Sequence, residues 1–346
     1  MSSLPNVPLS LLDLAPVGVG ATTTEALAST IALAQRADEL GYTRFWVAEH
    51  HGMPGIASSA PAVLIGAVAA ATQRIRVGSG GVMLPNHAPL VIAEQFGTLA
   101  ALHPGRIDLG LGRAPGTDPR TAAALRLSAK PQGADDFPEQ LGELACFLAG
   151  EFPEGHPYAA VRSVPHAAQQ PPIWLLGSSL YSAELAGLLG LPFAFAHHFS
   201  GTHTLPALAR YRESFRAGRT LDEPYAIVTV QAVCAPTDEQ ANRIALPAAL
   251  SFLHLRQGRP GALPTPEQAA AYPWTEMERD FVEQRRVGQA IGAADTVRDA
   301  LTDLLTATAA NELMISTQVY DLDDRLRSIT LVRNLFGELP AGLQQT

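Results

Sequence analysis

Short apolar segments alternate with longer amphipathic segments along nearly the whole chain, and this alternation constrains the fold more than any other feature. Strands are predicted at 7–12, 44–48, 75–78, 107–111, 173–176, 193–196, 225–233 and 313–316. Helices are predicted at 24–40, 59–71, 90–102, 180–189, 203–217, 239–255, 296–307 and 322–336. Strands that alternate with helices form a parallel sheet. Eight such strands in one chain of 346 residues predict an α/β fold closed into a (β/α)8 TIM barrel.

Two segments interrupt the alternation. Residues 115–172, rich in Pro, Gly, Ala and Asp, follow the fourth predicted strand, and residues 256–292, with four prolines, follow the seventh. Both are longer than ordinary connections between strands and helices. We therefore expect a single barrel domain of residues 1–346 with two insertions, which in compact domains commonly act as binding loops or lids. The first insertion leaves the carboxyl end of its strand, where barrel chemistry is found.

Charge and composition argue against several classes of protein. The net charge is −9 and no basic patch is visible, which argues against a nucleic-acid partner. The one lysine, Lys130, precedes Pro131, so there is no phosphate loop of the G-x-x-x-x-G-K-[ST] type. Cys146 and Cys234 are too few for a disulfide framework. The longest apolar run, 60–71, is shorter than the roughly 20 residues that cross a bilayer. The N-terminus lacks a charged signal region. We expect a cytoplasmic protein with no membrane partner.

Polar residues and glycines follow five of the predicted strands. They form the segments Glu49-His50-His51, Gly78–Gly81, Gly110–Arg113, Gly177-Ser178-Ser179 and His197-His198. Because the carboxyl ends of barrel strands share one face, where active sites lie, these segments predict one site.

Adjacent histidines on a strand point to opposite faces, so at most one of His50 and His51 can face the interior. The zinc patterns H-x-H and H-E-x-x-H are absent, and we predict no metal site. A histidine titrates near neutral pH, so His50 could transfer a proton beside a bound ligand. Each histidine could equally serve a structural hydrogen bond. Paired histidines such as His197 and His198 are often hydrogen-bonding spacers, and His198 is kept as a candidate ligand contact.

The glycines of Gly78–Gly81 predict either the close approach of a flat ligand or a tight barrel corner. Gly177-Ser178-Ser179 precedes a helix and could bind an anion through N–H groups and hydroxyls, or Ser179 could simply cap that helix. Arg113 ends the neighbouring strand and offers a fork of donors to a phosphate. The dinucleotide pattern G-x-G-x-x-G fails because its last position is Pro115. A single phosphate monoester, as in FMN, fits these groups better than a diphosphate.

Several motifs, in this order, resemble those of the bacterial luciferase-like flavin-dependent monooxygenases. The segment 104–118 is similar to the subgroup described as MsnO8-type or alkanal-monooxygenase-like. The resemblance extends over residues 7–335, and its motifs are 45–51, 78–89, Glu94-Gln95, 104–118, 173–179, Asp295-Thr296-Val297 and Glu312-Leu313-Met314.

The resemblance implies a (β/α)8 barrel that binds FMN at its carboxyl face, and a homodimer packed through the helices near 59–71 and 90–102. It implies that His50 is the catalytic histidine, that Arg113 contacts the phosphate, and that a non-prolyl cis peptide bond joins Gly80 and Gly81. Gly112 stands where the luciferases carry a reactive cysteine, so light emission is not implied. The cofactor-binding residues we expect are Gly80, Gly81, Arg113, Gly177, Ser178, Ser179 and His198.

We therefore predict a monooxygenase that uses reduced FMN and O2 to oxygenate a small organic substrate, with His50 moving a proton. A separate flavin reductase would supply the reduced FMN, since no NAD fingerprint is present. One alternative is a dehydrogenase that uses the deazaflavin F420 on the same barrel. Another is a non-catalytic flavin-binding carrier or sensor. A metal-dependent hydrolase is disfavoured because the zinc patterns are absent.

Overall fold

Eight parallel strands form a closed barrel in the computed structural model, which describes residues 4, 7–114, 116–125, 136–166, 168–218 and 220–337. Each strand pairs with the next along the chain, and the last pairs with both the first and the seventh. The predicted (β/α)8 TIM barrel is confirmed. Its strands are β1 (Leu9–Asp13), β2 (Arg44–Val47), β3 (Arg76–Ser79), β4 (Ile107–Gly112), β5 (Ile173–Gly177), β6 (Phe193–Phe195), β7 (Ala226–Cys234) and β8 (Glu312–Ser316).

Helices surround the barrel and bury their apolar faces against it. They begin at local signals such as the capping box of Thr22 and Glu25, and the prolines that open α2 and α3. The helices are α1 (Thr23–Glu39), α2 (Pro61–Ala71), α3 (Pro89–Leu102), α4 (Pro119–Leu125), α5 (Phe137–Ala149), α6 (Leu180–Leu188), α7 (His197–Ser200), α8 (Thr204–Ser214), α9 (Asp238–Arg256), α10 (Pro266–Ala271), α11 (Glu276–Arg286), α12 (Ala294–Thr308) and α13 (Leu322–Asn334).

The structure adds elements within the two predicted insertions. In 115–172, α5 packs against α3, and its apolar face belongs to the main core, so this part of the segment serves as a barrel helix. In 256–292, α10 and α11 are followed by a short strand, Ala290–Gly292, that pairs with the end of β7. Leu263 pairs through its backbone with Val17 and Val19, which fixes this insertion over the end of β1. Pro115, Lys130 and Pro131 lie outside the described residues.

A buried ionic layer closes the amino end of the barrel. Arg44 of β2 is 3.0 Å from Asp108 of β4 and 3.1 Å from Glu312 of β8, measured between side-chain nitrogen and oxygen atoms. Arg76 also pairs with Asp108, at 2.6 Å. Burial raises the pKa of Asp108, but the two guanidinium groups outweigh that effect and hold the pKa below its ordinary value. These ion pairs therefore join β2, β3, β4 and β8 at the amino end of the barrel.

An apolar layer lies between the ionic layer and the carboxyl end. Trp46 is fully buried there and donates from Nε1 to Asp108 at 3.0 Å, so the two layers are joined. Phe45, its neighbour on β2, is also fully buried. Asp13 at the end of β1 accepts from Thr30, Arg325 and the backbone of Ala15, so it caps the following turn. The apolar layer consists of Leu12, Leu14, Trp46, Ala48, Trp174, Ala194, Ile227 and Met314.

None of the helices in the described part of the chain has the length and apolar character needed to cross a membrane.

Candidate active site

Two adjoining cavities lie at the carboxyl ends of the strands. The first, which we call the barrel cavity, has a volume of about 1160 Å³ including space open to solvent, and Trp46 and Met314 form part of its floor. The second, the insertion cavity, has about 880 Å³ and is lined partly by residues of the second insertion, including Leu263 and Arg285. Leu14, His50, His198 and Phe199 line both cavities. A ligand in one cavity would therefore meet a ligand in the other beside two histidines.

The structure brings together every residue that the sequence predicted for the site. These residues come from five separate strand ends, and all of them line the barrel cavity. They are His50, Gly80, Gly81, Arg113, Gly177, Ser178, Ser179 and His198.

Gly80 and Gly81 form a surface without side chains on one wall of the barrel cavity. The peptide bond between them is cis, as the resemblance implied. A Cβ atom on Gly80 would lie 2.5 Å from Leu12, and one on Gly81 would lie 2.8 Å from the carbonyl oxygen of Gly110. These glycines are therefore required by close packing, as a tight barrel corner predicts. Both glycines also line the barrel cavity, and the close approach of a flat ligand stays a prediction at this position.

The barrel cavity has a cationic end beside the start of α6. Ser179 is the N-cap residue of α6, but its side chain makes no capping hydrogen bond, which removes the simple capping interpretation. The guanidinium carbon of Arg113 lies 4.4 Å from the ring centroid of Tyr181, which holds it next to this helix start. No carboxylate pairs with Arg113 among the described residues. A helix start, two hydroxyls and an unpaired guanidinium can together bind a phosphate.

His50 and His198 present neutral imidazole rings to both cavities. Burial lowers the pKa of His50, and the charge of Glu49 opposes this only in part. Burial also lowers the pKa of His198, to about 4. The Nδ1 atom of His198 lies 3.2 Å from the carbonyl oxygen of Thr229 and must donate to it, which leaves Nε2 as an acceptor. The Nδ1 atom of His50 and the Nε2 atom of His198 are buried without a partner among the described residues.

Glu49 organises a hydrogen-bonded group that the sequence analysis missed. Its Oε1 atom lies 2.8 Å from Nε2 of His51 and 2.8 Å from Nε2 of His87. Its Oε2 atom accepts from the backbone N–H of Met83 at 3.0 Å. Burial raises the pKa of Glu49, but the hydrogen bonds from His87, His51 and Met83 outweigh burial, so the pKa lies below its ordinary value. His51 is thus paired with Glu49, and of the two adjacent histidines only His50 lines the barrel cavity, although both lie beyond β2, which ends at Val47.

The same three side chains also meet the distance requirement of a metal site. Among the described residues, the ligand atoms of Glu49, His51 and His87 lie within 4.8 Å of one another. Because both histidines point Nε2 at one carboxylate oxygen, hydrogen bonding already accounts for each contact. We therefore describe the group as a clamp that holds Met83 and the adjoining glycine surface. His87 lies within the segment 78–89 that carries the resemblance, and that segment was the available signal.

The family model for luciferase-like monooxygenases matches residues 7–312. A relative from Escherichia coli (strain K12), named luciferase-like monooxygenase, is 45% identical over 333 residues, which cover 96% of this chain and 98% of the relative. A relative from Bacillus subtilis (strain 168), named N-acetyl-S-alkylcysteine monooxygenase, is 38% identical over 325 residues, which cover 94% of this chain and 96% of the relative.

The solved structure of apo-MsnO8 has a TM-score of 0.87 and 39% identity, and the match covers 97% of this chain and 98% of that one. Two structures of lower identity show the fold alone. The oxygenating constituent of 3,6-diketocamphane monooxygenase from Pseudomonas putida, a type II Baeyer–Villiger monooxygenase in complex with FMN, has a TM-score of 0.71, 21% identity and coverage of 95% and 97%. An F420-dependent secondary alcohol dehydrogenase with an F420-acetone adduct has a TM-score of 0.68, 16% identity and coverage of 96% and 100%.

Proposed function

The chain belongs to the luciferase-like monooxygenase family, and on that premise we propose that it uses reduced FMN and O2 to oxygenate a small organic substrate. One observation carries the choice of cofactor. The barrel cavity combines a glycine surface, a guanidinium that no described carboxylate pairs with, and a helix start without a side-chain cap around a single space. A planar ring with one phosphate fits this combination.

Different residues of the barrel cavity would bind the phosphate and the ring of FMN. Arg113, Ser178 and Ser179 would bind the phosphate, and Gly80 with Gly81 would lie against the ring. Bound FMN would supply the redox and oxygen-activating chemistry. The apolar layer under the cavity and the largely apolar lining of both cavities would limit the access of water to the reacting atoms.

His50 would move a proton between the cofactor and the substrate. Its ring lines both cavities, and its Nδ1 atom has no partner among the described residues. Since burial lowers its pKa, His50 is neutral at pH 7 and can accept a proton at a ring nitrogen. His198, which lines the barrel cavity together with His50, would also contact the cofactor.

We further propose that a separate reductase in the cytoplasm supplies reduced FMN, because the glycine pattern of NAD-binding proteins is missing. A homodimer through α2 and α3 is also part of the proposal. Val63 and Val91 on these helices are exposed by 76% and 44%, and Leu102 at the end of α3 by 67%. Exposed apolar residues on two neighbouring helices favour such an interface.

The proposal is tested by product analysis under ¹⁸O2. Photoreduced FMN and the protein are mixed with thioethers, ketones, aldehydes and aromatic compounds; N-acetyl-S-methylcysteine comes first because one relative's name indicates that chemistry. We expect a product with one ¹⁸O atom, and a rate at least about 100-fold lower for His50→Gln, since proton transfer by a side chain contributes that much. The exposed His203 provides the control variant His203→Gln, which should retain the wild-type rate.

Three results would contradict the proposal in different ways. If hydrogen peroxide is the sole product with every candidate substrate, the protein does not oxygenate these compounds, and the monooxygenase activity is contradicted. Much tighter binding of F420 than of FMN in parallel titrations would favour the deazaflavin dehydrogenase. Stoichiometric flavin binding without turnover of any kind would favour a carrier or sensor.

A further inference from the structure

Arg285 on α11 is a cation at the wall of the insertion cavity, and no carboxylate of the described residues pairs with it. Its guanidinium carbon lies 3.4 Å from the ring centroid of Phe252. Its Nη2 atom is 3.4 Å from the carbonyl oxygen of His198 and 3.5 Å from Oε1 of Gln231, at the outer limit for hydrogen bonds. Its Nη1 atom is buried and has no partner among the described residues. These contacts leave most of the donor fork unused.

A partly buried guanidinium with a buried, unpartnered Nη1 atom is costly unless a ligand or another group satisfies it. Burial lowers the pKa of Arg285 to about 10, so it stays protonated at neutral pH. Among the described residues that line the insertion cavity, Arg285 is the only charged one. Buried charges in proteins are normally paired, and the great majority of buried donors are hydrogen-bonded. The missing partner is therefore expected to be a ligand group that enters the cavity.

The rest of the insertion cavity limits what that ligand can be. Ser251 lines it with a buried hydroxyl that has no partner among the described residues, close in sequence to Phe252. Most of the remaining wall is apolar, with Met53, Ile56, Leu255 and Leu263 among its residues. His50 and His198 form the side shared with the barrel cavity. A ligand that fits has one anionic end at Arg285 and an apolar body that reaches toward the histidines.

We propose that Arg285 and Ser251 form a binding site for the carboxylate of the substrate, so that the chain accepts small carboxylic acids with an apolar body. This inference rests on the proposed function, because it assigns the insertion cavity to the substrate and the barrel cavity to FMN. The planar guanidinium fork matches a carboxylate in bidentate geometry, which an ammonium group cannot do. Arg285 would thus position the acid, and the oxidised atom would lie toward His50.

Calorimetric titration with hexanoate and its neutral analogue hexanamide tests this site without any need for turnover. The two probes share an apolar chain and differ in charge at one end. We expect the wild-type protein, loaded with oxidised FMN, to bind hexanoate at least about tenfold more tightly than hexanamide. Arg285→Gln should abolish this preference, and Arg285→Lys should retain part of it. The control is Arg279→Gln, an exposed arginine of the same helix, which should behave as wild type.

A parallel fluorescence titration with FMN separates this inference from the proposed function. If FMN fails to bind, the proposed function is lost, while titrations of the protein without flavin still measure the preference for the acid. Equal affinity for the two probes, or no binding of hexanoate, overturns the carboxylate site. So does tighter binding of hexanesulfonate than of hexanoate, or weaker FMN binding in Arg285→Gln. If circular dichroism shows that Arg285→Gln does not fold, the carboxylate site is tested by the preference of the wild type for hexanoate over hexanamide and by the reduction of that preference in Arg285→Lys.

Discussion

Replacing Arg113 by glutamine should weaken the binding of FMN and leave the binding of riboflavin unchanged. Riboflavin carries the same ring but lacks the phosphate that the guanidinium would contact. Arg113 stacks on Tyr181 at 4.4 Å beside the start of α6 and has no carboxylate partner among the described residues, so its charge is available to an anion. A hydrogen bond to a charged group contributes about 1.5–3 kcal/mol. The Kd of FMN should therefore rise about 10- to 150-fold.

The assay is a titration that follows flavin fluorescence at fixed ionic strength, with FMN and riboflavin tested on each protein. Arg120→Gln, at an exposed position on α4, is the matched control for loss of one positive charge from the same region. Its FMN affinity should stay within about twofold of wild type, because exposed charges are screened by solvent and salt. Raising the salt concentration should reduce the difference in FMN affinity between the wild type and Arg113→Gln.

Two outcomes would refute this reasoning. If Arg113→Gln weakens FMN and riboflavin equally, the side chain shapes the cavity and does not bind the phosphate. If the Kd of neither flavin changes, Arg113 does not contact the phosphate, and the proposed phosphate site formed by Arg113, the two serine hydroxyls and the start of α6 is wrong.

Three further predictions concern stability, each read from chemical unfolding. Burial lowers the pKa of His198 from 6.5 to about 4, so the stability contributed by its neutral form is complete above pH 6.5 and is lost as the pH falls toward 4. Between pH 7 and pH 5 the free energy of unfolding of the wild type should therefore fall by about 2 kcal/mol more than that of His198→Asn. Equal losses in the two proteins would contradict the lowered pKa. Gly110→Ala should destabilise the protein by about 1–3 kcal/mol, since the added Cβ would lie 2.0 Å from a carbonyl oxygen of β3. The control Gly142→Ala, on α5, should be neutral or stabilising, because no atom lies within 4 Å of the added Cβ. Asp108→Asn should cost about 3–5 kcal/mol, because buried Arg44 would keep only Glu312 as its carboxylate partner and partly buried Arg76 would lose its partner. The exposed Asp280→Asn should change stability by less than about 0.5 kcal/mol, and a small effect at Asp108 would mean that the ionic layer is dispensable.

The regular elements of the barrel could be predicted because their signals are local. The helix predicted at 24–40 is observed at Thr23–Glu39, and the strand predicted at 107–111 is observed at Ile107–Gly112. The helices α7, α10 and α11 were not predicted: α7 and α10 have too few residues to show a usable periodicity, and α11 lies in a segment whose prolines are typical of a loop. No helix bounds were predicted in the segment 115–172, where α5 lies, because the proline and glycine of this segment are typical of a loop.

The candidate site divides in the same way. The members that line the barrel cavity, such as Arg113 and the turn at Gly177-Ser178-Ser179, could be predicted because each follows a strand, and barrel geometry brings strand ends together. The clamp formed by Glu49 and His87 could not, because no spacing rule relates two groups on different strand ends. Arg285 was also missed, since nothing in a proline-rich insertion shows which side chain turns inward.

The amino-acid sequence by itself determined the order of strands and helices and which residues end each strand, because apolar periodicity and chain-breaking residues act over a few neighbours. Only the tertiary structure decided which polar groups are satisfied and which remain for a ligand. His51 is paired with Glu49 and His50 is not, although all three are adjacent in the chain. Arg285 meets the backbone of His198 across 87 positions and finds no carboxylate among the described residues. Hydrogen bonds and charge pairs depend on distances of about 3 Å in space, and packing of the whole barrel sets those distances.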